Sequence, residues 1–194
     1  MISKTGILLP AASFFPMAAA LICYCIGRNS KHSRNLFADA AAAAELLLLT
    51  SVLISASRGA EIQNTMPRIL GGLRFKADGF RALYACIASF MWLCTTVFSE
   101  EYLEHYRNRN RYYFFAFMTL GATVGVFFSA ELLTTFLFFE IMSFTSYVMV
   151  IHDEAPAAMR AGQTYLAVAV IGGMVMLMGH ISPPIRFVTK WDIP

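Results

Sequence analysis

Six long apolar stretches, separated by short polar segments, run along the chain. They lie at about 5–27, 36–57, 79–99, 112–130, 131–151 and 163–182. Each is close to the roughly 20 residues that a helix needs to cross a bilayer. The apolar runs are continuous and have no period of two, which favours helices over the strands of a membrane barrel. The pattern predicts an all-α fold, a polytopic bundle of about six transmembrane helices that forms a single membrane domain over 1–194.

The polar segments between these stretches differ in length. The basic segment Arg28–Asn35 separates the first two stretches, and the longest connection covers 58–78. Within it, a glycine pair precedes Leu73-Arg74-Phe75-Lys76, in which apolar and polar residues alternate. Alternation after a turn signal is typical of a strand. We therefore predict a short hairpin in the 58–78 loop, outside the membrane.

The first stretch has some features of a signal peptide. Lys4 precedes an apolar run, and Ala18–Ala20 offers small residues of the kind found at cleavage sites. However, the apolar character continues through Ile26, beyond the length of an ordinary signal-peptide core. This length favours a retained transmembrane helix.

Composition and charge exclude several classes of protein. The chain is 58% hydrophobic and only 14% charged, whereas soluble domains carry about 25% charged residues. The net charge of +3 comes from scattered basic residues, so no nucleic-acid partner is expected. The four cysteines form no CxxC pair, and no nucleotide-binding or zinc motif is present. The sequence predicts an integral multi-pass protein whose partner is the lipid bilayer, with no metal and no cofactor.

One carboxylate stands in the middle of an apolar stretch. Glu140 lies within LLTTFLFFEIMSFTSYVMVI, which contains no basic residue. Placing a carboxylate in hydrocarbon costs several kcal/mol, and such residues often belong to a proton or ion path. The alternative is a structural carboxylate hydrogen-bonded to a neighbouring helix. We predict that Glu140 is a protonatable site within the membrane.

Other residues in the apolar stretches bear on packing. Glu45 follows an alanine run and is either a second buried carboxylate or an interfacial, helix-packing residue. Gly121 and Gly125 form a small-xxx-small pair, and Gly172 and Gly173 thin one face of the sixth stretch. Small residues let transmembrane helices approach closely. These four glycines are therefore predicted to mediate helix packing.

Four segments, in order, resemble a known membrane family. LRFKADGFRALY is similar to the segment that enters the third helix of antiporter-like membrane subunits, with Asp78 and Gly79 matching its loop signature. VFSEEYL resembles the signature after that helix, carried by Phe98, Ser99 and Tyr102. FFSAELLTTFLFFEIMSFTSYVMVIHDE and AMRAGQTYLAVAVIGGMVMLMG resemble the fifth and sixth helices. The resemblance covers about 70–182.

The family comprises the large proton-conducting subunits of respiratory complex I, of Mrp-type antiporters and of membrane-bound hydrogenases. The resemblance implies a proton- or cation-translocating, non-redox subunit in a prokaryotic plasma membrane or another energy-transducing membrane. It implies no catalytic residue, because the redox chemistry belongs to other subunits. It also implies that Glu140 is the helix-five glutamate of proton translocation, and that Asp78, Gly79, Ser99 and Tyr102 are structural.

The sequence departs from the family in its length. Family members have two inverted repeats of five helices, and their glutamate pairs with a lysine on helix seven. Here Arg186 and Lys190 follow the sixth stretch, but neither lies in an apolar span. The resemblance thus implies either a companion chain that supplies the missing basic residue, or a truncated or degenerate copy. The alternatives are a structural or assembly subunit without transport activity and, less favoured, a small independent transporter or membrane enzyme.

Overall fold

Six long helices make up most of the chain. The computed structural model describes residues 7–59, 62–66, 72–105 and 108–181. All six helices are long and apolar enough to cross a membrane, which confirms the predicted all-α bundle of about six spans. The helices are α1 (Leu8–Gly27), α2 (Lys31–Ser57), α3 (Gly79–Tyr102), α4 (Arg109–Phe128), α5 (Leu132–Val150) and α6 (Pro156–Ile181).

Three of these helices begin before their apolar stretches, α4 by three residues and α2 and α6 by five and seven. α2 starts at Lys31, because the side chain of Ser30 accepts a hydrogen bond from the backbone N–H of Ser33 and caps the helix. α6 starts at Pro156, a residue that is well tolerated in the first helical turn. The polar residues of these first turns extend the helices beyond the apolar runs.

The predicted hairpin is present in the loop between α2 and α3. Strands β1 (Ile62–Met66) and β2 (Leu73–Ala77) pair antiparallel, and the connection 67–71 lies outside the described residues. Phe75 is buried, and its ring packs edge-on against Phe138 of α5 with centroids 5.8 Å apart. The backbone N–H of Ala130 donates to the carbonyl of Arg74 at 2.8 Å. The hairpin is therefore attached to the turn between α4 and α5.

α4 occupies the centre of the bundle. It packs against α1, α3 and α5, while α2 packs against α1 and α3. A Cβ on Gly121 would lie 2.6 Å from the carbonyl oxygen of Ser13 in α1, and one on Gly125 would overlap the ring of Phe138 in α5. Real Cβ atoms do not approach other atoms so closely, so these two glycines allow α4 to contact its neighbours at short range.

α6 lies at the edge of the bundle and contacts mainly α5. One side of it exposes large apolar side chains, a surface that is stable only against lipid or another transmembrane helix. These are Val168, Ile171, Met174, Val175 and Met178.

Candidate functional site

Glu140 lies between α5 and α6, in the middle of the 19-residue α5. Its carboxylate is directed at the backbone of Gly173 on α6. A Cβ built on Gly173 would lie 3.0 Å from Cδ of Glu140 and would overlap Oε1, with the ring of Phe136 3.4 Å away. Oε1 is buried and has no hydrogen-bond partner among the described residues. The bare glycine backbone therefore provides the space that this carboxylate occupies.

The two adjacent glycines of α6 have different surroundings. A Cβ on Gly172 would meet no atom within 4 Å among the described residues, whereas Gly173 faces Glu140. Glycine inside a helix costs about 1 kcal/mol relative to alanine. The close contact with Glu140 gives a physical reason for glycine at position 173. Within the described part of the chain Gly173 lies at a helix contact and Gly172 does not, and the packing role of both glycines stays a prediction.

No basic side chain from these two helices neutralises Glu140. The sequence contains no Lys or Arg between Leu132 and Met159, or between Ala161 and Ile181. Within the described ranges Glu140 forms no ion pair, and Arg186 and Lys190 lie outside those ranges. An unpaired carboxylate is costly in hydrocarbon. The described residues therefore leave the Glu140 carboxylate without a compensating charge in the middle of the helix.

Glu45 is the second carboxylate in the bundle, and it is more deeply buried than Glu140. It has 0% exposed surface, and both of its carboxylate oxygens have no hydrogen-bond partner among the described residues. It lies on the inward face of α2, with Ala41 and Ala42 one turn before it and Leu49 one turn after it. The sequence left two positions open for Glu45, a buried one and an interfacial one. In the structure its side chain is in the interior of the bundle.

The loop signature of Asp78 and Gly79 forms the beginning of α3. Asp78 caps the helix, because its Oδ1 accepts a 2.9 Å hydrogen bond from the backbone N–H of Arg81, and its Oδ2 lies 3.3 Å from the guanidinium. Gly79 is the first helical residue and has open space around it. Arg81 also donates to the carbonyl of Ser129 in the turn between α4 and α5. These contacts support a structural role for the signature.

The cap at Asp78 leads to a stability prediction. D78A should lower the free energy of unfolding by about 1 kcal/mol, because an N-cap side chain contributes that much. D78N, which keeps an equally good capping side chain, is the matched control and should lose clearly less. Thermal unfolding of the detergent-solubilised protein measures both. Equal losses in the two variants would show that the ion pair with Arg81, and not the cap, is the important contact.

The second signature lies near the other end of α3. Ser99 is buried, donates to the carbonyl of Thr95 at 2.6 Å and lies 3.3 Å from the hydroxyl of Tyr112 on α4. Tyr102 is exposed and stacks on Phe98. Ser99 thus joins α3 to α4. Neither residue is placed beside Glu140 by these contacts, and both support the structural role predicted for them.

A basic cavity that the sequence did not indicate opens between the ends of α1, α2 and α4. It has a volume of about 1020 Å³, and its lining includes Lys31, Arg34, Arg109 and Arg111. Arg34 is 2% exposed although it lies in the segment that sequence analysis treated as a polar connection. No periodicity in the sequence marks Arg34 as buried, because its position is set by its contacts with α4.

The sequence and the fold were compared with known proteins. No protein-family model matches the sequence. The chain is 27% identical over 136 residues to "Na(+)/H(+) antiporter subunit A1" of Staphylococcus haemolyticus (strain JCSC1435) and 26% identical over 137 residues to the protein of the same description in Staphylococcus aureus (strain JH9). Each alignment covers 70% of this chain but 17% of the relative, so the chain spans about a sixth of these proteins. The chain is a homologue of antiporter-like membrane subunits.

A solved structure shows the same fold. The chain superposes with a TM-score of 0.75 on a chain of the membrane-bound sulfane sulfur reductase, an archaeal respiratory membrane complex. The match has 22% sequence identity and covers 88% of this chain and 26% of that one. This match shows a shared fold, and the sequence similarity to the antiporter subunits confirms the resemblance that was inferred from motifs. Together with the six candidate spans, it identifies an integral, multi-pass membrane protein.

Proposed function

We propose that this chain forms part of a cation-translocating, non-redox membrane subunit, in which Glu140 is the carboxylate that binds and releases a proton. The observation that carries the proposal is the position of Glu140. Its Oε1 is buried against Gly173 at the α5–α6 contact, in the middle of a transmembrane helix and without an ion-pair partner in the described part of the chain. The similarity to antiporter subunits supports the same function.

The surroundings of Glu140 favour a change of protonation state. Its neutral form is compatible with Phe136 and the bare backbone of Gly173, which offer no positive charge. Its ionised form requires a cation, because uncompensated charge is unfavourable there. A proton or metal cation, or a basic side chain that approaches, therefore determines which form is present. Translocation results when Glu140 takes up a proton from one side of the membrane and releases it to the other side.

We further propose that the basic partner of Glu140 comes from another membrane subunit of a multisubunit complex. The described helices place no such group beside Glu140, because the basic residues of α6, Arg160 and His180, are thirteen and seven residues along the helix from Gly173. Phe144, one turn from Glu140 on α5, is 52% exposed, and the position of Gly172 beside Gly173 is open among the described residues. The edge of the α5–α6 contact therefore offers a surface on which a further transmembrane helix can pack close to Glu140. A lysine on that helix is a suitable partner, since its charge supports the ionised form of Glu140.

Replacement of Glu140 tests this function. E140Q, reconstituted in the intact complex in sealed vesicles, should reduce cation-coupled proton transport by at least about a hundredfold, the contribution typical of a proton-transferring group. Assembly should persist, because glutamine has the shape of the protonated acid. The matched control is E101Q, an exposed carboxylate at the end of α3, which should transport at the wild-type rate.

The same measurement distinguishes the alternative function. Wild-type transport in a correctly assembled E140Q complex would exclude Glu140 as the proton-binding group. Retained transport together with weakened assembly would favour the structural or assembly subunit.

A further inference from the structure

A second group of polar side chains, three of them buried and two half-buried, lies between α2 and α3, and we name it the α2–α3 seam. It consists of Asp39 and Glu45 on α2, and of Cys86, Ser89 and Glu100 on α3. α2 packs mainly on α1 and α3, whereas Glu140 lies between α5 and α6. The α2–α3 seam is therefore separate from the proposed translocation site.

Glu45 occupies the most buried part of the α2–α3 seam. It has no exposed surface, and neither carboxylate oxygen has a hydrogen-bond partner among the described residues. The titratable group that interacts with it from α3 is Cys86. α1 also packs on α2, but its Cys23 lies at the carbonyl of Arg34, nearer the end of α2. In the described ranges no charged side chain offsets an ionised Glu45, so its stable form in this environment is the protonated one.

The hydroxyl of Ser89 is a second unsatisfied group in the same region. It is 0% exposed, and its Oγ has no hydrogen-bond partner among the described residues. Cys86 interacts with both Thr50 and Glu45 of the antiparallel α2. Ser89, one turn further along α3, therefore lies level with the α2 turn between Thr50 and Glu45. The carboxyl of Glu45 and the hydroxyl of Ser89, both without hydrogen-bond partners among the described residues, form a polar region inside the bundle. Such a region can hold a proton or a few water molecules.

The α2–α3 seam extends from Glu45 towards one end of the bundle. Asp39 is six residues before Glu45, which corresponds to about 9 Å along the helix. Its carboxyl lies near that of Glu100 on α3, where two negative charges would repel each other, and its buried Oδ1 has no hydrogen-bond partner among the described residues. Such repulsion favours a proton on one of the two carboxyls. The buried hydroxyl of Tyr113 on α4 lies within electrostatic range of both carboxyls, so a group of proton-exchanging side chains lies about 9 Å along α2 from Glu45.

We propose that Glu45 is a second proton-binding site of this protein, which exchanges its proton with water through the Asp39–Glu100 pair. This site does not depend on the function proposed for Glu140. It takes a proton and not a metal ion, because a metal ion needs several ligands and the described residues contain no group of three or more His, Cys, Asp or Glu side chains that could hold one.

Infrared spectroscopy of the purified complex tests the proposal without a transport assay. The spectrum of the wild type minus that of E45Q should contain one protonated-carboxyl stretching band at acidic pH. That band should shift in D₂O and disappear as the pH is raised. E140Q should retain it, so failure of the Glu140 proposal and failure of this one are distinguishable. If E45Q does not assemble, E45D must shift the same band instead of removing it.

A second variant tests the route. D39N should slow the exchange of the Glu45 band after transfer to D₂O, and the exposed S51A on the same helix should leave its rate unchanged. A difference spectrum with no carboxyl band would show that Glu45 is ionised and would overturn the proposal. A band that neither shifts in D₂O nor changes with pH would show that Glu45 is permanently protonated and has only a structural role. This result would also overturn the proposal. An unchanged rate in D39N would exclude the Asp39–Glu100 route.

Discussion

G173A should reduce transport by about a hundredfold while leaving the protein folded. The added Cβ would overlap Oε1 of Glu140 and lie 3.0 Å from its Cδ, so the carboxylate must rotate away from its present position. Displacement of a reacting group by about 1 Å can reduce a rate a hundredfold. The helix itself tolerates the change, because alanine is about 1 kcal/mol more favourable than glycine inside a helix.

The adjacent glycine provides the control for this prediction. G172A makes the same chemical change on the same helix, but its Cβ would meet no atom within 4 Å among the described residues. We expect wild-type transport and equal or higher thermal stability. The measurement is transport in sealed vesicles, together with thermal unfolding of each variant. Equal transport in G173A and G172A would show that the position of the Glu140 carboxylate does not matter for function.

R34M should destabilise the junction of α1, α2 and α4 by about 3 kcal/mol. The guanidinium of Arg34 donates at 2.6 Å to Oδ1 of Asn110 and at 2.6 and 3.0 Å to Oδ1 of Asn35, and it lies 4.8 Å from the ring centre of Tyr113. Hydrogen bonds to charged groups contribute about 1.5–3 kcal/mol each, and their removal leaves half-buried acceptors without this donor. Methionine keeps much of the length of the arginine side chain but has none of its N–H donors.

The control for R34M is K31M, which removes an exposed basic residue one turn away on the same helix. Surface substitutions of this kind change stability by less than about 0.5 kcal/mol. Thermal unfolding in detergent, followed by tryptophan fluorescence, compares the two variants with the wild type. The same melting temperature for R34M and K31M would contradict the structural importance of the buried guanidinium.

The number and type of the membrane helices follow directly from local sequence. A segment in hydrocarbon must satisfy its own backbone hydrogen bonds, so a long apolar run forms a helix whatever its neighbours are. The alternation in Leu73–Ala77 likewise predicted β2, because a half-buried strand has a period of two. Helix ends were less predictable: α2 begins at Lys31, and its first turns depend on the cap at Ser30 and on the contacts of Arg34.

The candidate site was only partly predictable for a related reason. Glu140 was recognisable because a carboxylate in an apolar run is chemically exceptional, and its assignment to proton transfer remains a prediction. Glu140 contacts Gly173 and not Gly172 because of the rotation of α6 about its own axis relative to α5. No local sequence pattern indicates this rotation. The position of Glu45 could not be predicted from the sequence, because an alanine run is compatible with both a helix interface and the membrane surface.

By itself, the sequence determined an integral membrane protein of six apolar helices, one exceptional carboxylate and a family resemblance that the comparisons confirm. These properties depend on hydrophobicity and motif order, which are local to the chain. Only the tertiary structure decided that Glu45 is fully buried, that Arg34 is enclosed at a helix junction and that Gly173 makes space for Glu140. The physical reason is that burial depends on which face each helix turns towards its neighbours, and that choice is made by the packing of all the helices together.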